Sequence, residues 1–355
     1  MSRDERGEAN AVGASDAVAT DPVDDATLAL LVEVAGTPKP GNVDRRRDLD
    51  DLRFESFLGG AVGARAGLEL AAETAADGNS ADGNPAVGDA FERAVSGMAS
   101  RAGTNTQFGC LLLLVPLVRT AADPDRELAP AGVDAVCRAT TVDDAVAFYR
   151  AFESVDVAVD DPPPGADALD VRRGSDAEPA LRDRETTLGD VLALSAAPAD
   201  SSESAASANA TGSAEPDRVP DRNAAEWTEG FPRTFRAAEW ILTDEGPLAD
   251  RAARAFLGLL AAEPDTLVAS TRGTETAREA SARAREILEP DEGDAAGPVG
   301  DIDAIDADTV HDADLDAAES LADAFVAEGV NPGTTADLTC AALFVALRRG
   351  AEVAP

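Results

Sequence analysis

The stretch CLLLLVPLV (110–118) is the most apolar part of the chain, and it decides the fold. It is apolar on all sides rather than along one stripe, which is typical of a helix surrounded by other elements. Pro116 lies inside it and removes one backbone hydrogen bond, so we expect a kink there. The run is far shorter than the ~20 residues that a membrane-spanning helix needs. The sequence therefore predicts a buried central helix and no membrane partner.

Helical patterns dominate the rest of the chain. Apolar residues recur three and four positions apart, and no stretch keeps the period of two that a half-buried strand requires. The prediction is an all-α fold, with a single multi-helix domain over residues 23–350 around the buried central helix. Further helices are expected at about 24–35, 53–75, 91–100, 141–152, 187–197, 222–242, 247–262, 274–288, 313–328 and 335–348.

Four segments have compositions that predict no stable structure. Residues 1–22 form an acidic, polar tail, and insertions rich in Gly, Ser, Pro and acids fall at 76–89, 197–221 and 289–308. Such segments hold too few apolar side chains to offset the entropy lost on ordering. We therefore expect a disordered tail and three disordered insertions, besides a loop at 160–167.

The charge of the chain reports on its solvent. Its 355 residues include 68 acids and 30 bases, giving a formal net charge of −38. This predicts adaptation to molar salt inside the cell, where the Debye length is about 3 Å and self-repulsion is screened. A GC-rich genome would explain the preference for Arg over Lys equally well. The acidic surface would repel DNA and RNA, so we expect no nucleic-acid partner.

The N-terminal residues lack the apolar core of a signal peptide, and the three cysteines lack the close spacing of a zinc site. We expect a cytoplasmic protein with reduced thiols. No Walker A, dinucleotide-binding or G-x-S-x-G motif is present, and the single histidine, His311, lies in a polar stretch. Histidine catalysis and the common nucleotide-binding loops are therefore not predicted.

Lys39 is the only lysine of the chain, and it lies between two prolines. The prolines favour an extended, non-helical backbone, and three arginines follow at 45–47. A compact ammonium beside guanidinium groups suits a polyphosphate, so this segment predicts a phosphate site. The alternative is a surface turn in which the lysine survived by chance.

Two polar turns open onto apolar helices. The turn at 104–106 precedes the central helix, and the turn at 332–334 precedes the last helix, where Thr334 would be the N-cap and Asp337 the acidic arm of a capping box. A helix start offers unpaired N–H groups and a positive dipole end to an anion. Capping alone would explain either turn, but together they suggest two turns that face one pocket.

Three further residues are weaker candidates. Asp265 and Arg272 flank interruptions between helical patterns, where a plain N-cap and a solvated charge are the alternatives. Glu33 lies in the last turn of the first predicted helix, where an acid is unfavourable with the helix dipole. That position suggests a role for Glu33 beyond stability.

The segments TPKPGNVD (37–44) and NPGTTADL (331–338) resemble two signatures of the triphosphoribosyl-dephospho-CoA synthase family. Weaker similarities follow in the family's order at 103–117, 222–235 and 263–277. The resemblance implies an all-α enzyme that transfers the triphosphoribosyl group of ATP to the 2′-hydroxyl of 3′-dephospho-CoA and releases adenine. ATP and a dephospho-CoA-like acceptor are the expected partners, and Mg²⁺ is the expected cofactor.

The resemblance also implies roles. Displacement of adenine passes through an oxocarbenium-like state, which carboxylates stabilise, and one carboxylate deprotonates the attacking hydroxyl. Asp44 and Asp337 are expected to act as the base or to bind Mg²⁺, with Glu33 as a second-rank catalytic candidate. Lys39 is expected to clamp the triphosphate. The expected substrate-binding residues are Arg45, Asn105, Thr106, Asp265, Arg272, Asn331 and Thr334.

One departure from the family pattern concerns the first turn. Bacterial members tend to have NTHKG where this chain has Asn105-Thr106-Gln107-Phe108-Gly109. The chain looks closer to the archaeal branch, and the loss of a His and a Lys leaves the acceptor open. The alternatives are a nucleotide-binding regulator without turnover and a pentosyl transferase for another cofactor precursor.

Overall fold

The computed structural model describes residues 20–73, 87–162, 165–196, 219–289 and 301–353. In these ranges it contains 16 α-helices, short 3-10 turns and no strand, which confirms the all-α prediction. The helices are α1 (Pro22–Ala35), α2 (Phe54–Ala72), α3 (Val87–Ala102), α4 (Phe108–Ala122), α5 (Pro130–Arg138), α6 (Val142–Ala151), α7 (Glu178–Asp183), α8 (Leu188–Ala196), α9 (Arg222–Glu229), α10 (Pro232–Thr243), α11 (Leu248–Ala262), α12 (Thr266–Arg272), α13 (Thr274–Leu288), α14 (Ala307–His311), α15 (Leu315–Glu328) and α16 (Gly333–Arg348).

Two helices form the centre of the core. α4 is buried without a break from Cys110 to Thr120, as its all-round apolar pattern predicts. α16 is buried from Thr334 to Leu347 except at Asp337. The two helices pack against each other, α1 packs against both, α2 and α3 cover α4, and α10 and α11 cover α16. Each fully buried Leu or Phe contributes about 1.5–3 kcal/mol, so these two helices hold the domain together.

No helix within the described ranges is long and apolar enough to cross a membrane. The central helix α4, with 15 residues, is shorter than a span would need.

The pattern at 222–242 predicts one helix, and the structure shows that this is wrong. Gly230 (φ 81°) and Phe231 (φ 64°) adopt left-handed backbone conformations, so α9 ends and α10 begins on either side of them. The Phe231 ring is fully buried, and the buried Glu226 carboxylate accepts hydrogen bonds from two backbone N–H groups at the start of α10. These contacts stabilise the break, so α9 ends and α10 begins as a separate helix.

Other differences concern short elements and segment ends. The helical patterns missed α5, α7, α12 and α14, each of nine residues or fewer. The expected insertions extend too far, because Val219, Ile302 and Ile305 are buried in the core and α3 already begins at Val87. The remainder of the expected tail and insertions, at 1–19, 76–86, 197–218 and 290–300, lies outside the described residues.

Candidate active site

A cavity of about 290 Å³ lies where several helices begin. Its polar side includes Asn105 and Thr106 before α4, Asn223 in the first turn of α9, and Asn331 and Thr334 at the start of α16. The two turns that the sequence suggests for one pocket therefore lie on the wall of the same cavity. The described structure brings them together through the packing of α4 against α16.

Another part of the cavity wall is apolar. Phe57, Phe108, Phe148 and Phe152 line it, together with Val191 and its neighbours on α8. Phe108 and Phe152 pack edge to face with ring centroids 4.9 Å apart. Such a wall suits a flat base or an aliphatic chain.

Asp337, in the second turn of α16, is the central carboxylate of the polar side. One oxygen accepts a hydrogen bond from Asn223 Nδ2 at 2.9 Å, and the other accepts one from the Cys110 thiol at 3.2 Å. Burial raises the pKa of Asp337 to about 7, and these two neutral donors only partly oppose it. A carboxyl group that is half ionised near neutral pH is suited to proton transfer.

The predicted capping box between Thr334 and Asp337 does not form. α16 begins at Gly333, its N-cap Pro332 makes no side-chain cap, and the Asp337 carboxylate is directed to α4 and α9 instead. Gly109 makes room for it, because a Cβ there would lie 1.9 Å from Asp337 Oδ2. Both the acid and the glycine are thus placed for the cavity rather than for helix capping.

Glu33 reaches the cavity from α1, but its charge is compensated. It forms an ion pair with Lys39, and both side chains are only 1% exposed. Lys39 Nζ also donates to Asn42 Oδ1 at 3.1 Å, and Asn42 Nδ2 donates to Asn331 Oδ1 at 2.9 Å. Burial raises the pKa of Glu33, and the ammonium opposes this.

Lys39 itself is absent from the cavity wall, whereas Glu33, Asn42 and Asn331 line it. The sequence predicts that this ammonium clamps phosphate, with a surface turn as the alternative. The structure encloses the ammonium in this buried network, so the surface turn is wrong. The network instead fixes the loop at 37–44 against the start of α16.

Asp44 organises the same loop and lies outside the cavity wall. Its two oxygens accept hydrogen bonds from three backbone N–H groups of the loop and from the Arg47 guanidinium at 3.0 Å. Arg45 is exposed, and its Nε donates to Thr37 Oγ1 at 3.2 Å. The described geometry therefore gives both residues contacts that build the loop.

Asp265 and Arg272 also lie away from the cavity wall. Asp265 caps α12 through Val268 N–H at 3.0 Å, and its other oxygen accepts hydrogen bonds from the N–H and hydroxyl of Thr335. Burial raises the pKa of Asp265. Arg272 is an exposed residue at the end of α12. Asp265 thus joins the starts of α12 and α16 and holds the start of α16, which lines the cavity, in position.

Asn223, Cys110 and Gly109 are the important residues that the sequence did not nominate. Asn223 looks like the interior of one long helix, and Cys110 looks like an inert buried thiol. The only sequence signal for the three residues is that Gly109 and Cys110 lie within the weaker family resemblance at 103–117 and Asn223 within that at 222–235. The Oδ1 atom of Asn223 and Thr106 Oγ1 are buried and have no hydrogen-bond partner among the described residues.

The cavity wall is rich in acidic residues. These are Glu33, Asp160, Asp161, Asp170, Asp221 and Asp337. No Lys or Arg of the described chain lines it. Among those same residues, no three His, Cys, Asp or Glu side chains come together in a way that could hold a metal ion.

The described residues thus form an all-α domain with a cavity at its helix starts and the buried Asp337 carboxyl group on the cavity wall. The family model described as "CitG: ATP:dephospho-CoA triphosphoribosyl transferase" matches residues 19–211 and 213–354, and the chain belongs to this family. It is accordingly a transferase of the triphosphoribosyl-dephospho-CoA synthase type, as the resemblance predicts.

One solved structure agrees in fold. It is that of a candidate triphosphoribosyl-dephospho-CoA synthase from Archaeoglobus fulgidus, with a TM-score of 0.56 and 20% sequence identity. The similarity covers 83% of this chain and 100% of the other. A search of curated proteins gives no match.

Proposed function

We propose that this cavity is where the triphosphoribosyl group passes from ATP to 3′-dephospho-CoA, and that Asp337 is the general base. The acceptor's 2′-oxygen forms a bond to the ribose C1′ of ATP as the C1′–N9 bond to adenine breaks. Asp337 removes the hydroxyl proton, and N9 of the departing adenine takes the C1′–N9 electron pair and a proton from water. Asp337 returns its proton to water after the reaction, so no proton is gained or lost overall. The observation that carries this proposal is the position of Asp337 on the cavity wall with a pKa of about 7.

The pKa supports base catalysis in a specific way. A general base is most effective when its pKa lies near the working pH, because it is then partly ionised and still accepts a proton well. Ordinary aspartate is too weak a base for this role. Burial makes Asp337 a stronger base by raising its pKa to about 7. The hydrogen bonds from Asn223 and Cys110 fix the orientation of its carboxylate.

The triphosphate is proposed to bind at the starts of α4 and α16. The first turns of both helices carry no acid of their own. One backbone N–H at each start is already bonded, that of Phe108 to Asn105 Oδ1 and that of Thr335 to Asp265 Oδ2. The remaining N–H groups and the positive dipole ends favour an anion. Asn105, Thr106 and Thr334 line the cavity beside them.

Mg²⁺ is proposed to enter with ATP as the counter-ion of the triphosphate. The described residues form no metal-binding cluster of their own, but magnesium on a nucleotide needs only one or two carboxylates beside the phosphates. The acidic wall supplies such groups and lacks the cations that would otherwise balance the phosphates. Of the two residues expected to bind the metal, Asp44 lies outside the wall and Asp337 is better placed as the base.

The apolar wall is proposed to hold the base or the pantetheine arm. Phe108 belongs to this wall, and Gln107 is buried with its amide nitrogen 3.3 Å from the Leu30 carbonyl oxygen. These two residues replace the His and Lys of the bacterial motif with an aromatic ring and an inward-facing amide. Dephospho-CoA is the family's substrate. Because this replacement lies at the cavity, acceptors other than dephospho-CoA should be tested as well.

The direct test is to incubate the purified protein with ATP, Mg²⁺ and 3′-dephospho-CoA in molar salt and to follow adenine and the acceptor mass. We expect adenine release matched by one triphosphoribosyl addition to the acceptor. Asp337→Asn serves as the matched inactive control. Adenine without a mass gain on dephospho-CoA would indicate water or another acceptor, and ATP binding without any adenine would show a regulator instead of a transferase.

A further inference from the structure

Asn223 holds a polar atom that the protein leaves unused. Its side chain is 9% exposed, lines the cavity, and donates through Nδ2 to Asp337 Oδ2 at 2.9 Å. This hydrogen bond fixes the orientation of the amide, because the carbonyl oxygen would be repelled by the carboxylate. The remaining Oδ1 atom is buried and has no partner in the described structure. A buried acceptor without a donor costs free energy, so its partner is expected to come from a ligand.

The amide and the carboxylate together form a pair of neighbouring acceptors. The Nδ2 atom of the Asn223 amide donates to Asp337 Oδ2, which holds the amide oxygen Oδ1 near the carboxylate, and both residues line the same cavity. Two adjacent hydroxyl groups on one ring, as in a ribose diol, offer two O–H donors side by side. One would meet the carboxylate and the other the amide oxygen.

We propose that Asn223 recognises the free 3′-hydroxyl of the acceptor ribose while Asp337 takes the proton of the neighbouring 2′-hydroxyl. This inference rests on the proposed function, since it needs Asp337 to face the acceptor. It makes Asn223 a specificity-determining residue. A 3′-phosphate has no comparable proton to donate and places added negative charge against the amide oxygen and the carboxylate. The same pair therefore accepts dephospho-CoA and excludes CoA.

The local structure allows a clean substitution at this position. The first turn of α9 is capped by Asp221, whose carboxylate accepts hydrogen bonds from the backbone N–H groups of Asn223 and Ala224. Removal of the Asn223 side chain leaves these backbone bonds in place, and Ala is a good helix former. Asn223→Leu keeps the approximate shape without polar atoms and is a second variant if Asn223→Ala unfolds.

The test measures acceptor binding in the absence of ATP, so that no turnover occurs. Calorimetric titrations compare 3′-dephospho-CoA with its 3′-deoxyribose analogue. We expect the native protein to prefer dephospho-CoA by about three- to tenfold, the contribution of one neutral hydrogen bond. Asn223→Ala and Asn223→Leu should bind both compounds equally. Asn105→Ala, an amide at the same cavity, should keep the native ratio even where its absolute affinity falls.

A parallel arm distinguishes the two sugars that the reaction contains. Titrations with ATP and 3′-deoxy-ATP should give the same ratio in the native protein and in Asn223→Ala. If Asn223→Ala loses the preference for ATP over 3′-deoxy-ATP but keeps the preference for dephospho-CoA over its 3′-deoxy analogue, the amide binds the ribose of ATP. That result would overturn the proposal. An unchanged dephospho-CoA ratio in both Asn223 variants would overturn it as well, and adenine release by the native protein would then leave the proposed function standing. If the native protein binds neither compound and releases no adenine, both proposals are wrong.

Discussion

Two carboxylates reach the cavity from different helices, and they differ in how their charge is compensated. Glu33 on α1 is paired with the buried ammonium of Lys39, whereas Asp337 on α16 has only the neutral donors Asn223 and Cys110. Burial raises the pKa of both, but only Glu33 has a cation that opposes the shift. The comparison suggests a division of work in which Glu33 holds the loop at 37–44 in place and Asp337 moves a proton.

The largest expected effect comes from removing the charge of Asp337, which tests its assignment to proton transfer. Asp337→Asn keeps the size of the side chain and should lower the rate of adenine release by about 10²–10⁴-fold, the usual contribution of a general base. Steady-state kinetics with ATP and dephospho-CoA measure this. A rate within a few-fold of the native value would remove Asp337 from the chemistry, and with it the contrast with Glu33.

The second prediction concerns the compensated carboxylate. Lys39→Ala leaves the Glu33 charge buried without a cation and should lower the free energy of unfolding by about 3–5 kcal/mol. The double variant Lys39→Ala/Glu33→Gln should recover part of this loss. Denaturant titrations in molar salt provide the measurement.

Arg46→Ala is a matched control for Lys39→Ala. It removes one partner of an ion pair with Glu319 in which the arginine side chain is 67% exposed, so the change should be at most about 1 kcal/mol. Equal stability losses in Lys39→Ala and Arg46→Ala would show that burial of the Lys39 pair has no special weight.

The third prediction follows from the sign of the Asp337 shift. Its pKa rises from 3.8 to about 7 on folding, so the folded state binds more protons between these values and stability falls as the pH rises through this window. Asp337→Asn removes the effect. The variant should therefore be more stable than the native protein above pH ~7, by at most about 4 kcal/mol, with a smaller difference below pH ~4. Thermal unfolding across this range tests it, and a pH-independent difference would contradict the shift.

The sequence predicts much of this architecture and less of the site. The apolar run at 110–118 and the recurring helical stripes are local patterns, and they are enough to predict the all-α fold. The contact between Asn223 and Asp337 joins positions 114 residues apart, so no local pattern marks it. The break at Gly230 and Phe231 is also a tertiary effect, because the core contacts of Phe231 and Glu226 stabilise it.

Lys39 shows a different limit of sequence interpretation. Its partner Glu33 is only six residues away, and both residues stand out in the sequence. Lysine is almost never fully buried unless it is paired, so exposure is the natural expectation. The ion pair accounts for both residues, but it forms only because the turn after α1 brings them together. The sequence therefore marks each residue as unusual without showing that they are paired.

The smallest effect, and the one that best resolves the environment of Asp337, comes from Cys110. Its thiol is a weak donor to Asp337 Oδ1 at 3.2 Å, and hydrogen bonds to the ionised form lower a carboxyl pKa. Cys110→Ala removes this donor and should raise the pKa of Asp337, whereas Cys110→Ser supplies a stronger donor and should lower it. Each shift should stay below about one unit, since one unit corresponds to ~1.4 kcal/mol.

The readout is the pH dependence of kcat/KM at constant salt. Because the base acts in its ionised form, activity should rise with pH through about 7 in the native protein. The rise should move to higher pH in Cys110→Ala and to lower pH in Cys110→Ser. Cys137, a buried thiol on α5 away from the cavity wall, gives the matched control, and Cys137→Ala should leave the profile unchanged. Opposite shifts at position 110 and none at 137 would identify Asp337 as the titrating group, because its carboxylate accepts the Cys110 hydrogen bond. Equal profiles in all three variants would place the titrating group elsewhere.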